Sequence, residues 1–341
     1  MPSIRRAIKI ARLFIMEESN KSGNAVKRLK GGSPDEKRRS TLYFVWVGIL
    51  SDRYALAGAI IIFVFVLCAI LAPWIVPYPA NEANPMLRLR PMGTEGHLLG
   101  LDMQGRDILS RLIYGSRFSL FTGIMPVIIS AFISIPLGML AAYYRRLGHI
   151  IMRLMDVFFA FPMVLLAILL AAFMGPGIPN VILALVIVLI PYNTRVVYIE
   201  AVTQRSQGYV EAARASATSD SSILFTEMLP NVVSPSVVYS TTIVGSNVIT
   251  AAGLSFLGLG VQPPTAEWGI MMSEGRSVLA IAPHIATLPG IAMIFLVVGF
   301  NLVGDSLRDA LDPRTRLRRI KSSFRKLSEE REATDAPSPS V

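Results

Sequence analysis

The chain has 341 residues, of which 52% are hydrophobic and only 16% are charged. Soluble globular domains carry about 25% charged residues, so this composition excludes an ordinary soluble protein and indicates an integral membrane protein. The formal net charge of +10 does not favour nucleic-acid binding, because the basic residues lie in the tails and short loops and avoid the long apolar windows. The single cysteine excludes an intrachain disulfide.

Charge-free windows predict the membrane spans. Each of them exceeds the about 20 residues that a helix needs to cross a bilayer, and they cover residues 54–81, 118–144, 157–194, 228–266 and 277–304. The third window is interrupted by GPGIPN at 175–180 and therefore holds two spans. The fourth window has two prolines near its start, so it holds one span from about Ser236 to Phe256. The sequence thus predicts an all-α integral membrane protein with six transmembrane helices.

The basic residues predict the orientation of these spans. With six spans and both termini on one side, that side carries 27 of the 33 lysines and arginines. The other side has five in the loop 77–117 and one more, Arg276. Because basic residues accumulate on the cytoplasmic side, both termini are expected in the cytoplasm.

These windows and charges divide the chain into five regions. They are a basic cytoplasmic tail (1–53), a first transmembrane helix (54–77), an extracytoplasmic loop with a short amphipathic helix (78–117), a core of five transmembrane helices (118–304) and a second basic tail whose end is expected to be disordered (305–341). The core includes a polar segment at about 200–233.

Part of this polar segment, YVEAARASATSD at 209–220, predicts a helix, a turn and a second helix. Tyr209, Ala213 and Ala217 fall at i, i+4 and i+8, which gives a narrow face of small residues below one aromatic ring. Ser219 or Asp220 can cap a second short helix that is expected to end at Pro230. Such a hairpin could dock into a groove of a cytoplasmic partner, and a solvated connector is the alternative.

Four segments resemble motifs of one protein family and occur in the expected order. EAARASATSDSSILFTEMLPN at 211–231 resembles the EAA loop of permease subunits of bacterial ATP-binding-cassette (ABC) importers. Three others resemble the C-type permeases of the dipeptide, oligopeptide and nickel uptake group, namely GLDMQGRDILSRLIYGSRFSL (100–120), LSFLGLGVQPPTAEWGIMMSEGR (254–276) and GDSLRDALDPR (304–314). The resemblance covers most of residues 53–314 and implies the type I permease fold of ABC importers.

The resemblance also implies partners. This chain would pair with a second, homologous permease as a heterodimer in the bacterial inner membrane. Two cytoplasmic ABC ATPase subunits and an extracytoplasmic substrate-binding protein would complete the importer. The chain contains no GxxxxGK[ST] loop, so it is expected not to be an enzyme, and ATP and Mg²⁺ are expected on the ATPase subunits. No cofactor, catalytic residue, metal site or nucleic-acid partner is expected on this chain.

The resemblance implies that the polar hairpin couples the ATPases to the spans. The residues expected to do so are Glu211, Ala212, Ala213, Arg214, Ala217, Asp220, Leu229 and Pro230. Glu211 would form a salt bridge or a helix-end contact with the ATPase. The family pattern has glycine where this chain has Ala217, so the turn is either of another type or strained by roughly 1 kcal/mol, and Asp220 offers another way to fix the bend.

Four residues on the predicted outer side are candidates for a surface that faces the binding protein: Arg106, Asp107, Glu267 and Trp268. Asp107 and Arg111 lie at i and i+4, so a local ion pair is the alternative there. Trp268 is either an interfacial anchor or part of this surface. His284 has no further ligand at suitable spacing, so no metal site is expected there.

Glycines within or at the ends of the spans are expected to allow close packing of helices, namely Gly123, Gly138, Gly245, Gly253 and Gly258. The cargo suggested by the resemblance is di- or oligopeptides, with nickel, opines, glutathione-like peptides and sugars as alternatives. A secondary transporter would need ionisable residues at the bilayer midplane, which the windows lack. A non-transporting scaffold is the other alternative and would be indifferent to changes at Glu211.

Overall fold

The computed structural model describes residues 52–311, and side chains up to residue 309. The predicted tail up to residue 51 and the chain beyond 311 lie outside this range. The described residues are helical, except for the connections between helices and two isolated bridges in the connection 76–107. The all-α expectation is therefore confirmed for this part of the chain.

Nine helices of eight residues or more follow one another in the described range. They are α1 (Arg53–Ile75), α2 (Ile108–Tyr143), α3 (Arg145–Phe159), α4 (Met163–Met174), α5 (Ile178–Arg205), α6 (Gly208–Ala215), α7 (Asp220–Phe256), α8 (Trp268–Gly275) and α9 (His284–Leu311). The connections 76–107 and 257–283 lie at one end of the bundle. Helix α6 and the start of α7 lie at the other end, which we call the hairpin end.

Five of these helices are long and apolar enough to cross a membrane, namely α1, α2, α5, α7 and α9. Helices α3 and α4 pass the same test as a pair, although their axes differ by 88°. The predicted six spans are confirmed when this pair counts as one. The span predicted from residue 157 is not straight, however, because Pro162 precedes α4 and α4 alone is about 18 Å long at ~1.5 Å per residue.

Helix α2 differs from the sequence prediction at its start. We expected a short amphipathic helix within the loop and a span from residue 118, but α2 runs unbroken from Ile108. Asp107 caps it, because its carboxylate accepts hydrogen bonds from the amide and the hydroxyl of Ser110, both at 2.7 Å. Arg111 is 1% exposed, so this polar first turn of α2 is buried in the protein.

Helices α2 and α5 pack closely because small and polar residues line their contact. A Cβ atom on Gly138 would lie 2.6 Å from two carbons of Val197. Nearby, the Ser134 hydroxyl donates to the Ile190 carbonyl at 3.1 Å. The Asn193 side-chain amide donates to the Ser130 hydroxyl at 2.8 Å. Such contacts hold helices together in lipid, where apolar burial alone gives little driving force.

Other glycines have the same role in the remaining contacts. Added Cβ atoms would also clash with neighbouring helices at other positions, among them Gly58, Gly123 and Gly245. The expectation of close packing is thus confirmed at Gly123, Gly138 and Gly245. It is wrong for Gly253 and Gly258, where a Cβ would meet no other atom within 4 Å.

We predict opposite effects for two Gly→Ala changes. Alanine is favoured over glycine within helices by about 0.5–1 kcal/mol, so Gly253→Ala should raise the thermal stability of the detergent-solubilised protein slightly. Gly138→Ala should lower stability by about 1–3 kcal/mol, because the methyl group overpacks the contact with Val197. Thermal unfolding measures both, and equal shifts would contradict the packing described here.

Candidate functional site

The polar segment forms the expected hairpin, and its turn ends α6 in a Schellman motif. The Thr218 amide donates to the Ala213 carbonyl at 3.1 Å, and the Ala217 amide donates to the Arg214 carbonyl at 3.0 Å. Ala217 has a φ of +54°, which is the left-handed conformation that favours glycine. Of the two alternatives for this turn, the strained alanine is therefore the one observed.

Ser219, and not Asp220, caps the second helix, because its hydroxyl accepts the amide of Ser222 at 3.4 Å. Asp220 instead joins the hairpin to the end of α2. Its carboxylate accepts hydrogen bonds from the hydroxyls of Tyr143 at 2.6 Å and Tyr144 at 3.2 Å. The Arg214 guanidinium lies 5.0 Å from the centre of the Tyr143 ring. These polar contacts are called the Asp220 latch below.

The inner side of the hairpin is apolar and buried. Four hairpin side chains form one cluster with residues of α2 and α5, and they are Val210, Ile223, Leu224 and Met228. Val210, Ile223 and Met228 have no exposed surface. The cluster fixes the hairpin against the bundle on one side and leaves its other side open.

The sequence predicts that the second helix of the hairpin ends at Pro230. In the structure the helix continues past this residue. Residues Ile223–Met228 form a π-helical turn, in which the Leu229 amide reaches back five residues to the Leu224 carbonyl. Pro230 lies in the first turn after it, where a missing amide hydrogen is tolerated. The hairpin therefore continues directly into the long apolar part of α7. The predicted face of small residues is not free for a partner either, because Tyr209 and Ala213 pack against the inner cluster and Ala217 lies in the turn beyond α6.

Most of the predicted coupling residues are exposed. Glu211, Ala212, Arg214, Ala217, Asp220 and Pro230 are exposed, whereas Ala213 and Leu229 are partly buried. Sequence reasoning missed Tyr143 and Tyr144, which hold Asp220. Their signal is an aromatic pair at the end of the charge-free window 118–144, directly before two arginines.

The four residues expected on an outer surface are all buried at the opposite end of the bundle, with 4% or less of each exposed. The exposed surface predicted for Arg106, Asp107, Glu267 and Trp268 is therefore wrong. These side chains instead hold the connections 76–107 and 257–283 against the helices.

Two arginines and two carboxylates form an ion cluster at this end. Arg106 contacts Asp102 at 2.6 Å and Glu274 at 2.7 Å. Arg111 contacts the same two carboxylates at 3.4 Å and 3.2 Å. The predicted pair of Asp107 with Arg111 is therefore not formed, and Asp107 caps α2.

Glu267 and Trp268 fix the start of α8. One oxygen of Glu267 accepts the Ile270 amide at 3.0 Å, and the other accepts the Ser119 hydroxyl at 3.2 Å. Burial raises the pKa of the Glu267 carboxyl, and these hydrogen bonds oppose that shift. The Trp268 indole donates to the Leu112 carbonyl at 3.0 Å and packs edge-on against Phe65, so Trp268 is not an interfacial anchor.

An open, almost wholly apolar cavity of about 780 Å³ lies between α2 and α7. Phe132 of α2, Phe300 of α9 and the hairpin residue Phe225 contribute to its lining. The cavity therefore adjoins the hairpin. No cluster of residues suited to a metal ion occurs between residues 52 and 309.

The described residues thus form a polytopic helical bundle with a polar hairpin at one end. The chain belongs to the family of binding-protein-dependent transport system inner membrane components, whose model matches residues 134–317. Residues 44–91 match the N-terminal transmembrane domain of oligopeptide transport permease C. The family expected from the four motifs is thus confirmed, and the chain is a multi-pass inner-membrane permease subunit.

Curated relatives are similar over most of their length. The glutathione transport system permease protein GsiD of Pectobacterium atrosepticum is 42% identical over 82% of this chain and 93% of its own length. GsiD of Escherichia coli O157:H7 is 43% identical over the same shares. The di/tripeptide transport system permease protein DppC of Pseudomonas aeruginosa is 39% identical over 85% of this chain and 98% of its own length.

We predict that Ala217→Gly stabilises the hairpin by about 1 kcal/mol, because glycine relieves the left-handed strain. Ala215→Gly is the matched control within α6, where glycine should instead cost about 1 kcal/mol. Hydrogen exchange of the amides of 208–228 in the purified protein measures both changes. Faster exchange in Ala217→Gly would contradict the assignment of this turn.

Proposed function

We propose that this chain is the permease subunit of an ATP-driven importer of short peptides, and that the hairpin of α6 and the start of α7 couples it to the ATPases. The observation that carries the coupling role is the hairpin's geometry. Its outer side exposes Glu211 and Ala212, while its inner side is joined to α2, α5 and α7. A partner that pushes the outer side would therefore move these helices.

The hairpin end is proposed to lie in the cytoplasm, with both termini on the same side. The distribution of basic residues supports this orientation, since 27 of 33 lysines and arginines would then be cytoplasmic. ATP and Mg²⁺ would be bound by the ATPase subunits, and this chain would hold no cofactor.

Motion is proposed to pass from the hairpin to the spans by two routes. The Asp220 latch connects the hairpin to the end of α2 through a charge-assisted hydrogen bond. The π-helical turn connects the hairpin to α7 without a loop. Because α2 and α7 border the apolar cavity, ATPase closure would change the width of that cavity.

A second, homologous permease is proposed to cover this cavity. The cavity is open on one side, and Phe132 is 82% exposed beside it. The facing surface of a heterodimeric partner would close the apolar wall and complete a path across the bilayer. The extracytoplasmic binding protein would deliver the cargo at the end opposite to the hairpin.

The relatives' names support a peptide cargo. Two of them name glutathione, a tripeptide, and one names di- and tripeptides. We therefore propose di- or oligopeptides as the cargo, with a glutathione-like peptide as the favoured alternative. Nickel, opines and sugars have no such support.

Glu211→Lys and Ala212→Trp should abolish most peptide uptake by vesicles that hold the complete importer. The first change reverses the charge of an exposed hairpin residue, and the second places a large ring where a small, exposed side chain allows close approach of a partner. Uptake of a labelled dipeptide and peptide-stimulated ATPase activity measure the effect. Glu95→Lys is the matched control, since it makes the same change in the exposed connection at the opposite end.

If both hairpin variants retain full uptake and stimulated ATPase activity, the hairpin is a solvated connector and the proposed coupling role is wrong. If Glu95→Lys abolishes uptake equally, the effect is not specific to the hairpin.

The Asp220 latch should behave as one unit in a double-mutant cycle. Tyr143→Phe and Asp220→Asn should each reduce uptake while the complex stays assembled, and the double variant should be little worse than either one. We expect a coupling energy of about 1 kcal/mol between the two side chains, measured by hydrogen exchange of residues 208–228. Tyr114→Phe is the control, near the opposite end of the same helix. Fully additive effects would show that the latch does not transmit motion.

A further inference from the structure

A second cavity, of about 480 Å³, opens between α3 and the last part of α5 at the hairpin end. Its lining is basic, with Arg145, His149 and Arg153 from α3 and Arg205 from α5. We call this the basic groove. Asp156 is the one carboxylate among its lining residues, and Arg195 lies 3.7 Å from it.

One wall of the groove is fixed by contacts to the protein itself. The Arg205 guanidinium donates a hydrogen bond to the Ala142 carbonyl at 2.8 Å, which holds it at the end of α2. A Cβ on Gly148 would clash with the Ala141 carbonyl, so α3 lies directly against α2 there. The guanidinium groups on α3 therefore face a preformed wall.

The opposite face of α3 is apolar and exposed. Leu147, Ile150, Leu154 and Val157 recur every three or four residues, and 45–70% of each is exposed. This stripe continues into exposed apolar residues of α4 such as Leu165. A helix with one apolar exposed face and one basic face lies at the boundary between the headgroups and the acyl chains of a bilayer.

We propose that the basic groove binds the phosphate of an anionic phospholipid in the cytoplasmic leaflet. This inference rests on the orientation given under Proposed function. Arginine guanidinium groups match phosphate oxygens in pairs of hydrogen bonds, and basic pockets between helices on the cytoplasmic side suit anionic headgroups. A free phosphate ion has the same chemistry, but the apolar stripe places the groove at the level of lipid phosphates.

A bound lipid would act next to the coupling hairpin. Tyr144 joins α2 to α3, and its hydroxyl donates to Asp220 of the hairpin. A headgroup held between α3 and α5 would therefore act on α5, which together with α2 forms the base on which the hairpin rests.

The test uses the complete importer in vesicles of phosphatidylethanolamine that contain a photo-crosslinking phosphatidylglycerol analogue in one leaflet at a time. Mass spectrometry of peptides from α3 and α5 quantifies the labelling. We expect labelling from the cytoplasmic leaflet, about fivefold weaker in Arg145→Gln and in Arg153→Gln, since a basic residue near an anionic surface contributes about 1 kcal/mol. Arg146→Gln is the matched control, because Arg146 is exposed on the same helix but does not line the groove.

Four results would overturn the proposal. Labelling that is equal in all variants would show that the groove takes no anionic lipid, and equal loss in Arg146→Gln would show diffuse attraction only. Loss of labelling with millimolar inorganic phosphate would show a site for free anions. Unchanged labelling together with loss of the ATPase subunits in the groove variants would show a protein contact.

The test separates this inference from the proposed coupling and orientation. Glu211→Lys should abolish uptake and leave the labelling unchanged, so a failed coupling role would not affect the result. Specific labelling from the other leaflet alone would contradict the proposed orientation, and with it the cytoplasmic location of this lipid site.

Discussion

Backbone amides and carbonyls in the hydrocarbon layer must find their hydrogen-bond partners within the protein, because no water is available there. This constraint makes the membrane part of the chain helical. It also sends the polar connections to the two ends of the bundle, 76–107 and 257–283 at one end and the hairpin at the other. Polar groups are confined to the two ends of the bundle. The hairpin and the basic groove therefore both lie at an end.

Within the bilayer the same constraint decides how the helices meet. Lipid competes with every apolar contact, so specificity comes from close approach and from a few polar bonds. Between α2 and α5, Gly138 allows the close approach, and the hydrogen bond from Asn193 to Ser130 is one of the polar bonds. The stable pairing of α2 and α5 provides the base on which the hairpin rests.

The two ends of the molecule use charge in opposite ways. At the end with the long connections, Arg106 and Arg111 are buried with Asp102 and Glu274, so the connections are fixed to the helices. At the hairpin end, Glu211 remains exposed on the outer side of the hairpin, whose inner side is attached to the bundle by an apolar cluster and by the Asp220 latch. This contrast supports the proposed coupling role of the hairpin.

The sequence by itself determined the class of protein, the number of spans and the position of the hairpin, because hydrophobic windows and basic residues respond directly to the bilayer. It also located Ala217 where glycine is usual, although only the structure showed the left-handed conformation. Tertiary structure alone decided the ion cluster, the role of Trp268, the Asp220 latch and the unbroken path through Pro230. The first three features depend on side chains that meet across 76 to 168 residues of chain, and the last depends on a local π-helical turn. Neither is encoded in the period or composition of one segment.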